Sequence, residues 1–212
     1  MKLAKDMVTY GLTLAQSTTS GVANVCPYST LACRNGCVLT SGNGRYDSVK
    51  TARAVKTRFL MADPSAFYTV LADEIARAEK THGDKLRIRL NVASDIRHED
   101  VVPWLFARFP AVRFYDYTKD WGRNPPANYT LCRSASERTS DESVAETVAA
   151  GSNVAVVFST RRGQALPSEW QGMAVIDGDR SDNRADDMPG VVIGLRAKGA
   201  LRGDRFGMVR AV

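Results

Sequence analysis

The sequence predicts an α/β fold in one domain over residues 1–212: repeated βα units forming a small or partial (βα) barrel, with a β-rich C-terminus. Three observations predict it. Segments that alternate apolar and polar residues recur between segments of helical periodicity, and strands that alternate with helices pair in parallel. Residues 154–158, Val-Ala-Val-Val-Phe, form the continuous apolar run expected of a parallel strand buried on both faces. The length of 212 residues supplies one substantial core and is marginal for two. An open doubly wound sheet is the second arrangement compatible with this order.

In chain order, residues 8–14 alternate well enough for a strand or hairpin arm. Residues 21–46 read as an ordered loop rich in Gly, Asn, Ser and Thr; its own core is thin, so it needs an internal tether. Residues 48–59 have helical spacing, with Val49, Ala52, Val55 and Phe59 on one face. Asp63 is placed to cap a second helix with Pro64 at its first position. That helix runs to about Lys80 with Phe67, Val70, Leu71, Ile75 and Ala76 inward, and Gly83 and Asp84 turn the chain. Residues 86–92 alternate as a strand, residues 98–109 form a helix ended by Pro110, and 112–118 and 128–132 are strands. A short helix over 141–150 is closed by Gly151, and strands follow at 154–158, 173–176 and 191–195.

Hydrophobic residues at 44% and charged residues at 25% exclude a disordered or fibrous chain. No stretch approaches the roughly 20 apolar residues of a membrane span, and the basic residues Lys2 and Lys5 precede no apolar segment. The expectation is a cytoplasmic protein without membrane contact. The formal net charge of +6 attracts phosphate, which makes DNA or a nucleotide a candidate partner.

Four constellations carry candidate chemistry. The first is Cys26-x6-Cys33-x3-Cys37. Clustered cysteines in a reducing compartment favour metal over disulfides. Three thiolates with an open position suit a [4Fe–4S] cluster; a fourth ligand from Cys132 or His82 would instead make a closed structural zinc site. Unligated thiols are the plain alternative. The second is the strand end carrying Asn91, Ser94 and Asp95, where parallel folds place ligands; Asp95 also reads as a helix cap. The third is the strand end with Asp116, Tyr117, Thr118 and Lys119, which offers a carboxylate, an aromatic face, a hydroxyl and a cation. The fourth is the acidic run from Asp177 to Asp187, which lacks the bidentate Glu of a calcium loop and reads as a solvated turn or an internal Asp–Arg lock. Arg184, Arg196 and Lys198, with the pair Arg161 and Arg162, are candidate substrate or phosphate contacts. No G-x-G-x-x-G follows the first strand and no P-loop motif occurs, which argues against a Rossmann site and a P-loop. With two histidines, no Ser–His–Asp case can be made.

Four blocks together resemble a phage-encoded family, the gene product 88 family. They are the Cys-Pro…Cys…Cys loop, Arg-Leu-Asn-x-x-Ser-Asp at 89–95, Phe-Tyr-x-Tyr-Thr-Lys at 114–119, and Asp-Gly-Asp…Asp-x-Arg…Pro-Gly-Val-Val-Ile-Gly-Leu-Arg-Ala-Lys-Gly over 177–199. The same layout is similar, more distantly, to three-Cys-motif phage proteins and to radical-SAM enzymes with partial barrels. The usual spacing there is C-x3-C-x2-C, and this chain departs from it. That resemblance implies Cys26, Cys33 and Cys37 as cluster ligands, S-adenosylmethionine at the open iron, and Asn91, Ser94, Asp95 and Lys119 lining the cavity. Its implied function is modification of a nucleotide or nucleic acid, in the host cytoplasm. A second resemblance, at the level of fold, is to phage transglycosylases that exchange guanine for a deazaguanine in DNA. It implies Asp95 or Asp116 as nucleophile, the other as base, and structural zinc. A third reading is a basic, metal-stapled module that binds nucleic acid or a host protein.

Overall fold

A computed structural model describes residues 7–40 and 42–212; the basic segment 1–6 and Ser41 lie outside the described residues. The chain begins with β1 (Val8–Gly11) and the cysteine loop, which contains the short helix α1 (Leu31–Asn35). Then come α2 (Asp47–Ala62), α3 (Pro64–His82), β2 (Leu86–Arg89), α4 (His98–Val101), α5 (Pro103–Arg108), β3 (Arg113–Thr118) and β4 (Tyr129–Ser134). The rest is α6 (Asp141–Ala149), β5 (Val154–Phe158), β6 (Glu169–Trp170), β7 (Met173–Asp177), β8 (Val192–Arg196) and β9 (Val209–Arg210).

These strands form one nine-stranded sheet in the order β1-β2-β3-β4-β5-β8-β7-β6, with β9 also on β5. Every pairing is parallel except the β6–β7 hairpin. The expected βα units are present, but β1 and β6 are the two ends of the order and do not meet, so the sheet is not closed into a barrel. The doubly wound alternative also fails for the first five strands, whose spatial order follows their chain order. Right-handed crossovers that always advance in one direction stack their helices on one face.

The two faces of the sheet are chemically different. Leu86, Ile88, Leu90, Phe114, Tyr129 and Leu131 pack with Phe67 and Ile75 of α3 and Leu105 and Phe106 of α5. Val154, Val156, Phe158 and Val192 pack with Val144 and Val148 of α6. On the alternate positions of β2, Arg87 and Arg89 point the other way and meet the run between β7 and β8. Arg87 pairs with Asp186 at 2.8 Å, Arg89 with Asp182 at 3.0 Å, and Arg113 of β3 with Asp186 at 2.5 Å. The acidic run is thus an internal Asp–Arg lock laid over the face that bears no helix.

Local chemistry explains most element ends. The Asp63 side chain accepts from Ala66 N and Pro64 opens α3, as the sequence predicts. The expected helix 98–109 is two short helices, because Val102 precedes Pro103 and leaves the helical region, with φ −144° and ψ 58°. In α2 the buried residues are Arg53, Thr57 and Leu60, whereas Val49, Val55 and Phe59 are exposed. The reason is what the helix covers, namely loop backbone that needs polar partners. Thr57 Oγ1 accepts from Ala15 N at 2.9 Å and Arg53 donates to Gly44 O at 2.5 Å. Val70 of α3, expected inward, is also exposed.

His98 sits wholly inside, with Nδ1 3.0 Å from the Tyr68 hydroxyl. Burial, reinforced by the Arg123 charge, pulls its pKa down to about 3. The unfolded chain binds a proton near its ordinary value of about 6.5 while the fold does not. Stability from this residue is therefore complete above that value and falls as pH drops toward 3. The raised carboxyl of Asp116, at about 6, acts in the opposite sense. The difference between wild type and His98→Asn isolates the histidine. In denaturant titrations, the advantage of wild type over the variant is expected to shrink steadily from about pH 6.5 downward. A difference independent of pH would show that His98 is not held neutral.

Candidate functional site

The cysteine loop leaves β1 at the carboxyl edge of the sheet and is tied there by residues distant in sequence. Val25 O accepts from Asp95 N at 2.8 Å, and the Cys26 thiol donates to Ala93 O at 3.0 Å. Glu137, just beyond β4, takes the start of α1: its carboxylate accepts from Thr30 Oγ1 at 2.7 Å and from Ala32 N at 3.1 Å. Thr30 in turn caps α1 through Cys33 N. Gly36 ends that helix against Leu201, whose Cγ would lie 2.3 Å from an added Cβ, so only glycine fits without displacing Leu201. These tethers supply what the thin core of the loop lacks.

The three thiols are half-buried and free of disulfides. Burial raises the Cys26 thiol to about 11, with further upward pushes from Cys33 and Cys37 and an opposing pull from the Ser17 N–H on its sulfur. Burial also raises Cys37, with Cys33 adding to it and the Arg53 and Lys119 cations opposing it. Without an ion between them, Cys26 and Cys37 favour the protonated state at neutral pH. Among the described residues, no three His, Cys, Asp or Glu side chains already converge as a ligand set.

The strand-end residues form a closed hydrogen-bonded network. Asn91 Oδ1 accepts from Ser94 Oγ at 2.8 Å and Ile96 N at 3.0 Å, while its amide donates to Ile96 O and to Asp116. Asp116 is fully buried and also accepts from Asn91 N at 2.7 Å and from the Tyr129 hydroxyl at 2.6 Å. Burial lifts its carboxyl to about 6 against those bonds. Asp95 accepts from Thr118 Oγ1 at 2.7 Å, Lys119 N at 2.8 Å and Arg123 at 3.3 Å; burial outweighs these and raises its pKa. Arg123 continues the network to Glu99 at 2.6 Å and to Tyr129 at 2.9 Å. The polar atoms of Asn91, Ser94, Asp95 and Asp116 are thereby spent on one another, on neighbouring side chains and on the backbone, and none of the four lines either of two cavities, one beside the cysteine loop and one beside Arg184.

Lys119 does line one. A cavity of about 420 Å³ opens between the cysteine loop, through Tyr28 and Thr30, and the ends of β3 and β4, through Lys119, Trp121 and Ser134. Ser136, Arg138 and Thr139 of the following turn complete it with Ser143 of α6. β4 and β9 share one edge of β5. β4 pairs only with Val154 and Ala155, and β9 takes over at Val157 and Phe158. Arg210 of β9 then holds the turn from behind, donating to Thr139 O at 2.6 Å and to Asp141 at 3.1 Å.

The remaining predicted residues lie elsewhere. Tyr117 is under the Arg89 guanidinium, 4.8 Å from ring centroid to carbon, on the face bearing the lock. Arg184 is buried against Asp187 at 3.1 Å. Arg196 is engaged by Asp177 at 3.0 Å and Asp179 at 2.9 Å, and Lys198 by Asp179 at 2.7 Å. These cations are neutralised within the fold rather than presented to phosphate. Cys132 packs with Ala155, Val191 and Ile193 on that same face, its thiol raised to about 12 by burial. His82 bonds the Tyr10 hydroxyl at the end of α3. Neither stands with the three loop thiols.

The sequence profile of gene product 88 matches residues 2–210. The chain belongs to the gene product 88 family. No curated protein and no solved structure matches it. The four sequence blocks that resemble this family therefore mark, in the fold, the loop thiols, the buried network at the ends of β2 and β3, and the Asp–Arg lock. Glu137, Arg123 and Arg210 belong to the site and were not singled out from sequence. Only the Ser-x-Ser-Glu pattern after β4 hinted at a polar turn there.

Removing the Glu137 carboxylate is expected to free the start of α1. Glu137→Ala should cost about 1 kcal/mol of stability. It should also speed amide hydrogen exchange at Ala32 and Cys33 relative to the sheet. Unchanged exchange there would show that the loop is held without it.

Proposed function

We propose that this protein is a radical-SAM-like iron–sulfur protein that acts on a nucleotide or nucleic acid, with Cys26, Cys33 and Cys37 as the cluster ligands. The observation that carries this reading is three half-buried thiols on one tethered loop, at the carboxyl edge of a parallel sheet whose first five strands follow chain order. That strand order is the one a partial (βα) barrel has. The donor set fits the group in its chemistry, three soft sulfur ligands local in sequence, although the three thiols do not converge among the described residues until an ion draws them together. When bound, such a cluster supplies one-electron chemistry and an open iron position.

The chain's own residues serve this in definite ways. The Ser17 N–H points at Cys26 Sγ from 3.3 Å and would tune a thiolate there. Arg53 and Lys119 favour the anionic form of Cys37. Asp95 fixes the loop through its backbone N–H and fixes Lys119 through its carboxylate. The raised thiols mean that ligation must displace protons, so binding strengthens as pH rises.

The geometry favours this over the transglycosylase reading. A nucleophile must reach a sugar carbon, and Asp116 and Asp95 are 0% and 7% exposed with their oxygens engaged. Structural zinc is also less well served, because Cys132 and His82 are both committed elsewhere.

Protein purified without oxygen is expected to carry about four irons with matching sulfide and a brown chromophore. Cys26→Ser, Cys33→Ser and Cys37→Ser should each abolish it, Cys132→Ser should not, and reconstitution should be more complete at about pH 8.5 than at about pH 6.5. One zinc per chain without sulfide would sink the proposal and favour a metal-stapled binding module.

A further inference from the structure

We infer that the cavity between the cysteine loop and the β4–α6 turn is a phosphate-ester site that takes a nucleoside 5′-monophosphate, with Lys119 and Arg138 as its anion contacts. This deepens the reading above by naming the ligand class beside the proposed cluster, and it rests on that reading only for what happens to the ligand afterwards.

Charge decides the ligand class. The two charged side chains lining the cavity are both cations, Lys119 and Arg138, and no carboxylate lines it. The nearest candidate, Glu137, is turned toward Thr30 and Ala32 and is fully used there. Among the described residues neither the Lys119 ammonium nor the Arg138 guanidinium has a side-chain hydrogen bond or ion pair. Arg184, Arg196 and Lys198 each face an aspartate within 3.1 Å, and Arg161 and Arg162 lie exposed on a loop that does not line the cavity. Two cations at one cavity that no carboxylate lines make a local positive field that attracts an anion.

Shape and the remaining lining narrow the class further. Ser134 Oγ has no partner among the described residues, while Thr139 Oγ1 accepts from Ser136 N at 3.1 Å and lies 3.3 Å from Ser136 Oγ. Hydroxyls of this kind suit phosphate oxygens and a ribose. Trp121 and Tyr28 give flat apolar surface for a base. A volume of about 420 Å³ lies within the ordinary range for small-molecule sites, which matches a mononucleotide and not a duplex.

The test is calorimetry on the full chain with the nucleoside 5′-monophosphates, the parent nucleosides, inorganic phosphate, and a short single strand lacking terminal phosphate. At least one monophosphate should bind saturably and about tenfold or more tighter than its nucleoside. Lys119→Met and Arg138→Gln should each weaken the monophosphate by about tenfold and leave the nucleoside within about twofold. Thermal melting of both variants confirms that they fold. Retention of monophosphate binding in the triple variant Cys26→Ser, Cys33→Ser, Cys37→Ser would support the site independently of any cluster. The inference is overturned if no monophosphate binds, if binding ignores both substitutions, or if only the strand binds. Iron-loaded protein that binds no monophosphate would fail this inference alone, and iron-free protein that binds one would fail the cluster reading alone.

Discussion

The carboxyl edge of the sheet hangs on one buried carboxylate, that of Asp95. Its side chain joins the turn after β2 to Thr118 and Lys119 at the end of β3, and through Arg123 to the loop before β4; its N–H takes Val25 O of the cysteine loop. Four segments far apart in sequence therefore share a single anchor. Burying a carboxylate is costly unless its oxygens are filled, and here hydroxyl, amide and guanidinium donors fill them. The network is thus a constraint as well as a bond: none of its members can be spent on a ligand without releasing the others.

That constraint separates holding from doing. Asn91, Ser94, Asp95 and Asp116 build the platform, and Lys119, at its edge, is the member whose charged end is left over for the cavity. The opposite wall is the stretch of the cysteine loop from Pro27 to Thr30, which Glu137 pins from just beyond β4, and the thiols lie on that loop without lining the cavity. Nearby, one edge of β5 is divided between β4 and β9 rather than paired along its length. Local departures from regular pairing are a common way for a parallel sheet to make room for a ligand at its carboxyl end.

Much of the fold was legible because it follows from short-range rules. The apolar run of β5, the alternation of β2, and the Asp63–Pro64 helix start all lie where the sequence places them. What was hidden depends on partners far along the chain. The buried face of α2 is Arg53, Thr57 and Leu60 because loop backbone, not an apolar core, lies beneath it, and periodicity carries no information about the neighbour. Closure of the sheet depends on whether its two ends meet, which no segment encodes alone. β9 spans only two residues, below what a pattern can reveal. The site was legible by type and not by role. The cysteine triplet and Lys119 were visible, but the same residue letters describe Asp95 as a catalyst or as an anchor, and only its filled oxygens distinguish them. The acidic run read as either a solvated turn or an internal Asp–Arg lock, and the partners that decide for the lock, Arg87, Arg89 and Arg113, lie far away in sequence.

That lock closes one face of β2 and β3 with ions instead of hydrocarbon. An apolar plug, once lifted, leaves a greasy surface that sticks to its neighbours. Arg87, Arg89 and Arg113 instead present cations to the run, beside the rings of Tyr115 and Tyr117 on the same face. The seal is correspondingly sensitive to salt and acid, since Asp177 is held below its ordinary range by Arg196, and burial of Asp186 is outweighed by its arginine and asparagine partners. Salt or acid would therefore loosen this face by weakening its charge pairs, a route the helix-covered face does not offer.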